Sequence, residues 1–345
     1  MFRHQKRKEE INMAADFSIK DIITVDLLKK TALVGIDLTV DDGSAFPDEL
    51  FATAINSAIN TIESELGIIF DHQDCVERQD AASDSRRSWW PMALDQKPLK
   101  KVDEIKITYG QYPETAVPLA WVNISSDSSS QIALIPTAET LGAFNFNNSI
   151  PLLIDPITNY AYYRYVPSYF KVSYQAGFNF RKGTASIPVG QTELIVDLSE
   201  NLIDTPNFSF SVIDDGINGA LIPTTVRATS TGIGKTSFKI KLNQAPVNRP
   251  AVINWQVHTV PEALIKTVCQ VASLLPLDIA GNLIAGAGIA RQSLSIDGLT
   301  QDIATTASAT SSGFGATIIS FQKQIADTMA AMKKKYSTVG FGTLA

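Results

Sequence analysis

The sequence predicts an α+β fold, in which a helical core with a β-strand segment carries an inserted antiparallel β-sandwich-like module. In three segments, apolar residues recur at spacings of three and four, which is typical of amphipathic helices. These segments are 48–66, 260–275 and 316–336. Between the first two helices the apolar period changes to two, which is typical of β-strands. We therefore predict three parts, namely residues 1–178, 182–258 and 259–345, of which the first and last form one core.

The first long helix has recognisable ends. Asp48, after Pro47, is the expected N-cap residue, and Glu49 is favourable near the positive end of the helix dipole. Gly67 is the expected C-terminal stop. One face of this helix is apolar and consists of Leu50, Phe51, Ala54, Ile55, Ala58, Ile59, Ile62 and Leu66. Such a face requires burial against other elements.

The β segment begins at about residue 102. Four short runs are strand candidates, three of them with alternating apolar and polar residues. They are Ile105–Tyr109, Trp121–Ile124, Gln131–Pro136 and Tyr169–Tyr174. Residues 142–167 are rich in Asn, Pro and Tyr, so we expect an irregular, protruding loop there.

Residues 182–258 are predicted to be a separate module. Six short strand candidates are separated at regular intervals by Gly, Asn, Asp and Pro, which favours a small antiparallel sandwich or barrel. They are Thr184–Ile187, Thr192–Val196, Phe208–Val212, Val226–Thr229, Phe238–Leu242 and Val252–Val257. The ends of an inserted module are expected to lie close together.

The helical period returns after Val260. Pro261 fits the first helical position, and Pro276 is expected to end or kink this helix. Residues 281–315 are rich in Gly, Ala, Ser and Thr, which predicts an extended, mobile segment. The last helix is expected over Ala316–Tyr336, where Lys333–Lys335 suit the negative end of the helix dipole.

Composition bounds the function classes. With 345 residues the chain is long enough for two or more cores. Its net charge of −6 argues against general affinity for nucleic acid, which needs a basic face. Cys75 and Cys269 have no metal-ligand spacing, so a reduced setting inside the cell is expected. No stretch approaches ~20 consecutive apolar residues, and residues 1–10 lack the apolar part of a secretion signal. We therefore expect no membrane association.

No catalytic, cofactor or metal site is predicted. Gly232–Thr236 is similar to a phosphate-binding loop, but Thr229 stands where that pattern requires Gly, and a strand follows. A hairpin turn is the favoured interpretation. The three histidines are scattered along the chain and provide no ligand cluster. They are His4, His72 and His258.

Short runs at the joints between these elements carry a family resemblance. The first motif is in the early helix and its end, at Ile55, Ala58, Ile62, Glu63 and Gly67. The second ends the β segment, at Tyr174, Ala176, Gly177 and Phe178. The third opens the next helix, at Val260, Pro261, Glu262 and Leu264, and the fourth, Ser295–Gly298, precedes the last helix. In this order, over residues 18–178 and 259–336, the chain resembles the head-to-tail connector (adaptor) proteins of long-tailed bacteriophages. It departs from them in the inserted 182–258 module and in Leu274-Leu275-Pro276, where the family commonly continues a helix.

The resemblance implies a structural virion protein, made in the host cytoplasm and located at the head-tail junction, and not an enzyme. It implies a homo-oligomeric, usually dodecameric ring that binds the portal protein, continues the DNA channel and presents a platform to a neck or tail protein. DNA passes without sequence-specific binding. We expect a monomer or weak association before the portal templates the ring. The residues expected at the portal or neighbour interface are Leu299, Phe314, Lys333, Lys334, Lys335, Tyr336 and Phe341.

Two other classes remain open at this point. In one, the 182–258 module of a β-rich virion or surface protein binds carbohydrate through exposed aromatic residues, for which Trp255 and a few Phe residues are available. In the other, an enzyme site forms from Asp, Glu or Ser residues of distant segments, which a sequence pattern does not reveal.

Overall fold

The fold combines helices with antiparallel sheets, which confirms the α+β class. A computed structural model describes residues 17–36, 38–39, 43–82, 91–108, 114–126, 128–135, 165–198, 202, 205–214, 226–229, 237–285, 291–296, 299–304 and 314–337. The chain divides into two compact units. We call Ile69–Val260 the β unit, and Ile19–Ile68 with Pro261–Ser337 the helical unit.

The helical unit contains five helices and one hairpin in its described residues. The helices are α1 (Ile19–Ile22), α2 (Val25–Thr31), α3 (Asp48–Leu66), α4 (Glu262–Ala285) and α5 (Gly315–Tyr336). Helix α4 packs against both α3 and α5, which confirms that the three predicted helices share a core although the β unit separates them in sequence. Each apolar face is thereby removed from water.

Helix α3 has the predicted bounds but a different start. Pro47 is the N-cap and makes no side-chain capping hydrogen bond, whereas Asp48 is already helical, so the prediction of Asp48 as N-cap is wrong. Its carboxylate instead lies 2.7 Å from Lys29 Nζ. At the other end Gly67 is left-handed (φ +61°), as predicted, and its N–H donates to the Glu63 carbonyl.

Of the two outcomes predicted at Pro276, an end of the helix is wrong, because α4 continues through this proline to Ala285. Proline removes one backbone hydrogen bond, at a cost of about 3 kcal/mol. Val268, Cys269 and Ala272 before the proline and Leu277 and Ala280 after it are all buried. Burial on both sides of the proline offsets that cost, and it overrides the local preference for ending the helix there.

The composition of helix α4 is relevant to the expectation that the chain does not associate with a membrane. Glu262–Leu283 is the one described segment that is long and apolar enough to span a membrane. More than half of it is buried inside the helical unit. The central helix of a bundle has the same composition, because neighbouring helices cover it on several sides.

The described parts of residues 281–315 form regular elements, and not the extended, mobile segment that the sequence predicts. Helix α4 occupies the first five, and two antiparallel strands follow, β14 (Arg291–Ile296) and β15 (Leu299–Ala304), numbered after the thirteen strands of the β unit. The Gly- and Ser-rich composition hid a period-two pattern in these strands.

The first half of the β unit contains two antiparallel sheets, with strand orders β1-β7-β3-β4 and β2-β6-β5. Their strands are β1 (Gln73–Ala82), β2 (Met92–Ala93), β3 (Leu99–Ile107), β4 (Thr115–Val117), β5 (Val122–Ser126), β6 (Gln131–Leu134) and β7 (Tyr165–Ala176). Both sheets contribute to one core, in which Ile105, Ile132 and Phe170 are fully buried. Of the predicted loop at 142–167, residues 142–164 lie outside the described residues.

The second half of the β unit contains the six strands predicted for residues 182–258. They are β8 (Phe180–Ile187), β9 (Glu193–Asp197), β10 (Asn207–Asp214), β11 (Val226–Thr229), β12 (Ser237–Leu242) and β13 (Ala251–His258). They form two three-stranded antiparallel sheets, β10-β13-β8 and β11-β12-β9. Both sheets share a core that includes Ile187, Phe238, Ile253 and Trp255. The compact units thus group residues 69–178 with this module and not with the helices.

The two ends of the 182–258 module meet at its base. Phe180 and His258 are cross-strand partners. Just outside them, the Asn179 N–H donates to Thr259 Oγ1 (2.9 Å), and the Thr259 N–H donates to the Asn179 carbonyl (3.1 Å). Both residues are fully buried, so these bonds tie the entry and exit of the module together.

Because the two ends of the 182–258 module lie side by side, we predict that the rest of the chain folds without the module. Deleting residues 181–257 and joining Phe180 to His258 through Asn-Gly replaces the module by a two-residue hairpin turn, which suits antiparallel partners. We expect a soluble protein with unchanged helical circular dichroism per helical residue, because the other core of the β unit does not use this module's residues. Aggregation of the deletion variant, under conditions that keep the parent soluble, would contradict the expectation. A matched deletion that also removes Asn179 and Thr259 should fold less well.

Candidate functional site

Helix α5 lies with one face on the helical unit and the other in solvent. Gly315, Ile318, Met329 and Tyr336 are buried, and the intervals between them are sums of three- and four-residue helical spacings. The opposite side carries exposed polar residues and Ile319, whose exposure of 45% is high for a large apolar side chain. The solvent side of α5 is therefore free, within the described chain, to meet another molecule.

The three lysines in the last turn of α5 differ in their surroundings. Lys333 Nζ lies 3.2 Å from Glu65 Oε2 on α3, and Lys335 Nζ lies 5.6 Å from the centre of the Tyr336 ring. Lys333 and Glu65 are about half exposed, so their ion pair contributes little to stability. All three lysines are exposed at the negative end of the helix dipole. They form one cationic end on the helical unit.

The other residues expected at the interface lie in different places. Tyr336 is only 1% exposed, so its side chain fixes the last turn of α5 inside the helical unit and offers no contact surface. Phe314 is half-buried just before α5, and Leu299 begins β15 as the cross-strand partner of Ile296. Phe341 lies outside the described residues. Of the predicted set, the structure brings together only the lysines and Tyr336.

A groove that the sequence did not predict opens in the helical unit. Its volume is about 360 Å³, and the end of α2, the first half of α4 and the middle of α5 line it. The lining is mostly apolar, with Ile265 and Phe321 among its residues, and a hydrogen bond from Gln270 Nε2 to Gln324 Oε1 (2.8 Å) joins α4 to α5 beside it. Residues from three distant segments meet here, so no local pattern could reveal the groove.

The groove also contains the buried cysteine of α4. Burial raises the pKa of the Cys269 thiol, and a hydrogen bond with Thr31 opposes this only in part. The thiol therefore stays protonated at neutral pH, and a protonated thiol is a poor nucleophile. Cys269 acts as a small core residue here.

The residues that carry the family resemblance at the end of β7 form a tight structural joint. The Tyr174 hydroxyl donates to Glu77 Oε2 (2.8 Å) and accepts from the Gln96 N–H (3.1 Å). Burial raises the pKa of the Tyr174 phenol, so the hydroxyl stays protonated and able to donate. Ala176 is fully buried between β1 and β3.

Gly177 and Phe178 complete this joint. Gly177 has a φ of +109°, and a Cβ at this position would overlap the backbone oxygen of Asp71. Phe178 stacks on Phe70 with ring centres 5.9 Å apart. The requirement for glycine and an aromatic residue is thus explained by packing within this chain.

The described residues contain no group of three or more His, Cys, Asp or Glu side chains placed to hold a metal ion. The His258 ring stacks on Phe180, His72 lies 3.5 Å from an Asp74 carboxylate oxygen, and His4 lies outside the described residues. The loop-like Gly232–Thr236 segment also lies outside them.

Trp255, the tryptophan considered for carbohydrate binding, is inside the 182–258 module. It is 1% exposed, packs edge-on against Phe238 at 5.2 Å, and covers Gly183. A buried indole offers no stacking platform for a sugar. Comparison of the chain with models of known protein families and with curated proteins gives no match.

Proposed function

We propose that this protein is a structural adaptor, which forms a homo-oligomeric ring on a bacteriophage portal and connects it to a neck or tail protein. The observation that carries the proposal is the single helical unit built from α3, α4 and α5. The resemblance rests on motifs at the joints of these three helices, and their assembly into one unit agrees with their common origin in a connector core.

Two further features support this function. Helix α5 presents a solvent side and a cationic end, which suits a docking surface whose attraction depends on charge. The net charge of −6 suits a channel wall, because like charge lets DNA move through a ring without adhering to it. In this proposal the ring is dodecameric, as is usual in the connectors that the chain resembles, and it is assembled on the portal from monomers.

Co-sedimentation with the assembled portal ring of the same virus tests the docking surface. We expect the full-length chain to bind, and a chain that ends at Ser337 to bind more weakly because it lacks residues 338–345. An earlier end, after Met332, is unsuitable because it also removes the buried Tyr336 and the Lys333–Glu65 contact. A chain that ends at Ser337 keeps the whole of α5, so weaker portal binding by this variant would not result from damage to the helix.

Charge reversal provides the matched comparison. Lys334→Glu is expected to weaken portal binding about three- to tenfold at low salt, the effect of one peripheral charge, and less at ionic strengths above about 0.15 M. Lys323→Glu, which is also exposed on α5 but lies three turns earlier, is the control and should have little effect. Equal binding by all variants would remove this end of α5 from the interface. No binding by the full-length chain would contradict the proposed function itself.

A further inference from the structure

The hairpin formed by β14 and β15 has no third strand in the described chain. It is a two-stranded sheet in which Ile296 pairs with Leu299, so two residues connect the strands. No other described helix or strand makes extensive contact with it. Since a two-stranded hairpin is marginally stable by itself in water, this one needs a partner.

The cross-strand register gives the hairpin two different faces. Paired residues share a face, and faces alternate along each strand. One face contains Leu294, Ile296, Leu299 and Ile303 together with Gln292 and Gln301, and the other contains Arg291, Ser293, Ser295, Thr300, Asp302 and Ala304. The hairpin is therefore amphipathic, like a segment of a sheet that covers a core on one side.

Both outer edges of the hairpin are suited to strand pairing. In a hairpin closed by two residues, the pair beside the connection is hydrogen bonded, and the next pair directs its backbone N–H and C=O groups outward. The outward groups therefore belong to alternate residues, which include Ser293 and Ser295 on β14 and Thr300 and Asp302 on β15. Neither strand contains Lys or Pro, the residues that commonly protect an edge, whereas the edge strand β1 contains four charged residues.

The charges on the two edges are complementary. Strand β14 carries one charged residue, Arg291, and strand β15 carries one, Asp302, and the register places both on the polar face. Pairing β14 of one copy with β15 of another brings opposite charges together. If β14 paired with β14, or β15 with β15, the two paired strands would carry like charges, which is unfavourable.

We propose that β14 of each subunit pairs antiparallel with β15 of the next subunit, so that the hairpins of the ring join into one continuous β-barrel. The partner is a second copy of this chain. This inference rests on the proposed ring, because a head-to-tail contact that repeats by rotation closes only in a ring. Closure leaves no hairpin edge unpaired, and the apolar residues of all copies form one continuous face.

Disulfide cross-linking between single-cysteine chains tests this pairing. In a background with Cys75→Ser and Cys269→Ala, one chain carries Ser295→Cys and the other Thr300→Cys. Cα atoms of paired antiparallel residues lie about 5.5 Å apart, within the range that a disulfide bridges. After mild oxidation of portal-bound protein, we expect a linked dimer from the mixture and none from either chain alone. An equal random mixture places the two cysteines together at about a quarter of the interfaces.

A proline variant shows whether cross-linking depends on backbone pairing between β14 and β15 of neighbouring subunits or only on their being close. Ser293→Pro on the Ser295→Cys chain removes an outward N–H while leaving the bonds inside the hairpin, so cross-linking should fall to background. Ser293→Ala keeps that N–H and is the control. Linked dimers from either chain alone, or equal yields with proline and alanine, would overturn the head-to-tail pairing.

The outcomes also separate this inference from the proposed function. Negative-stain images that show portal-bound rings without mixed cross-links would refute the barrel and leave the adaptor function in place. Mixed cross-links in concentrated protein that does not bind the portal would support hairpin pairing and contradict the adaptor function. Absence of rings, portal binding and cross-links would refute both.

Discussion

Replacing Ile59 with Asp is expected to unfold the helical unit. Ile59 lies in the middle of α3, is only 5% exposed, and belongs to the face that packs against α4. A carboxylate buried there without a partner costs several kcal/mol, a large part of the roughly 5–15 kcal/mol that stabilises a domain. We expect the far-ultraviolet helical signal to fall sharply at 25 °C, and the protein to lose portal binding.

The chain offers a clean second signal for this experiment. Trp121 and Trp255 are buried in the two cores of the β unit, so their fluorescence reports on that unit, whereas Trp89 and Trp90 lie outside the described residues. Because neither core of the β unit uses residues of the helical unit, we expect native emission of Trp121 and Trp255 from Ile59→Asp protein. Asn60→Asp adds the same carboxylate at the adjacent, exposed position and should leave both signals unchanged. Survival of the helical signal in Ile59→Asp protein would show that α3, α4 and α5 do not depend on one another.

Replacing Gly177 with Ala is expected to destabilise the β unit by about 2–5 kcal/mol. A non-glycine residue in a sparsely populated conformation costs about 1–3 kcal/mol, and φ at Gly177 is +109°. The new Cβ also overlaps the backbone oxygen of Asp71, which cannot rotate away as a side chain can. Chemical denaturation followed by tryptophan emission measures the loss.

Gly190 provides the control for backbone strain alone. It also has positive φ (+79°), but a Cβ there meets nothing within 4 Å. Gly190→Ala should therefore cost about 1 kcal/mol, through strain and without a clash. Equal losses at the two positions would show that the close approach of Gly177 to Asp71 does not matter, and that the motif needs another explanation.

Local patterns predicted those parts of the fold that local physics determines. The apolar spacing and Gly67 predicted the bounds of α3, and alternating residues predicted the six strands of the 182–258 module. The chain passes Pro276 as a helix because tertiary burial outweighs one lost hydrogen bond, and no window of sequence contains that information. Composition hid the β14–β15 hairpin, since its small polar residues are equally typical of a loop.

The candidate surfaces were harder to predict than the fold. The lysines at the end of α5 are exposed, and their role at an interface stays a prediction, but Tyr336 beside them is a core residue because it lies on the buried face of α5. The groove beside Cys269 is formed by three segments that meet only in the folded chain, so the sequence alone does not reveal it. The unpaired edges of the β14–β15 hairpin could be identified only from the strand register, which shows which residues direct their backbone N–H and C=O groups outward.

The central claim is that copies of this chain form a ring on a portal. Negative-stain imaging of the purified protein, alone and mixed with assembled portal of the same virus, tests it most directly. We expect small single particles for the protein alone, and in the mixture a closed ring with regular rotational symmetry, coaxial with the portal. A portal that remains bare at saturating protein concentration, with no closed ring in any sample, would contradict the account.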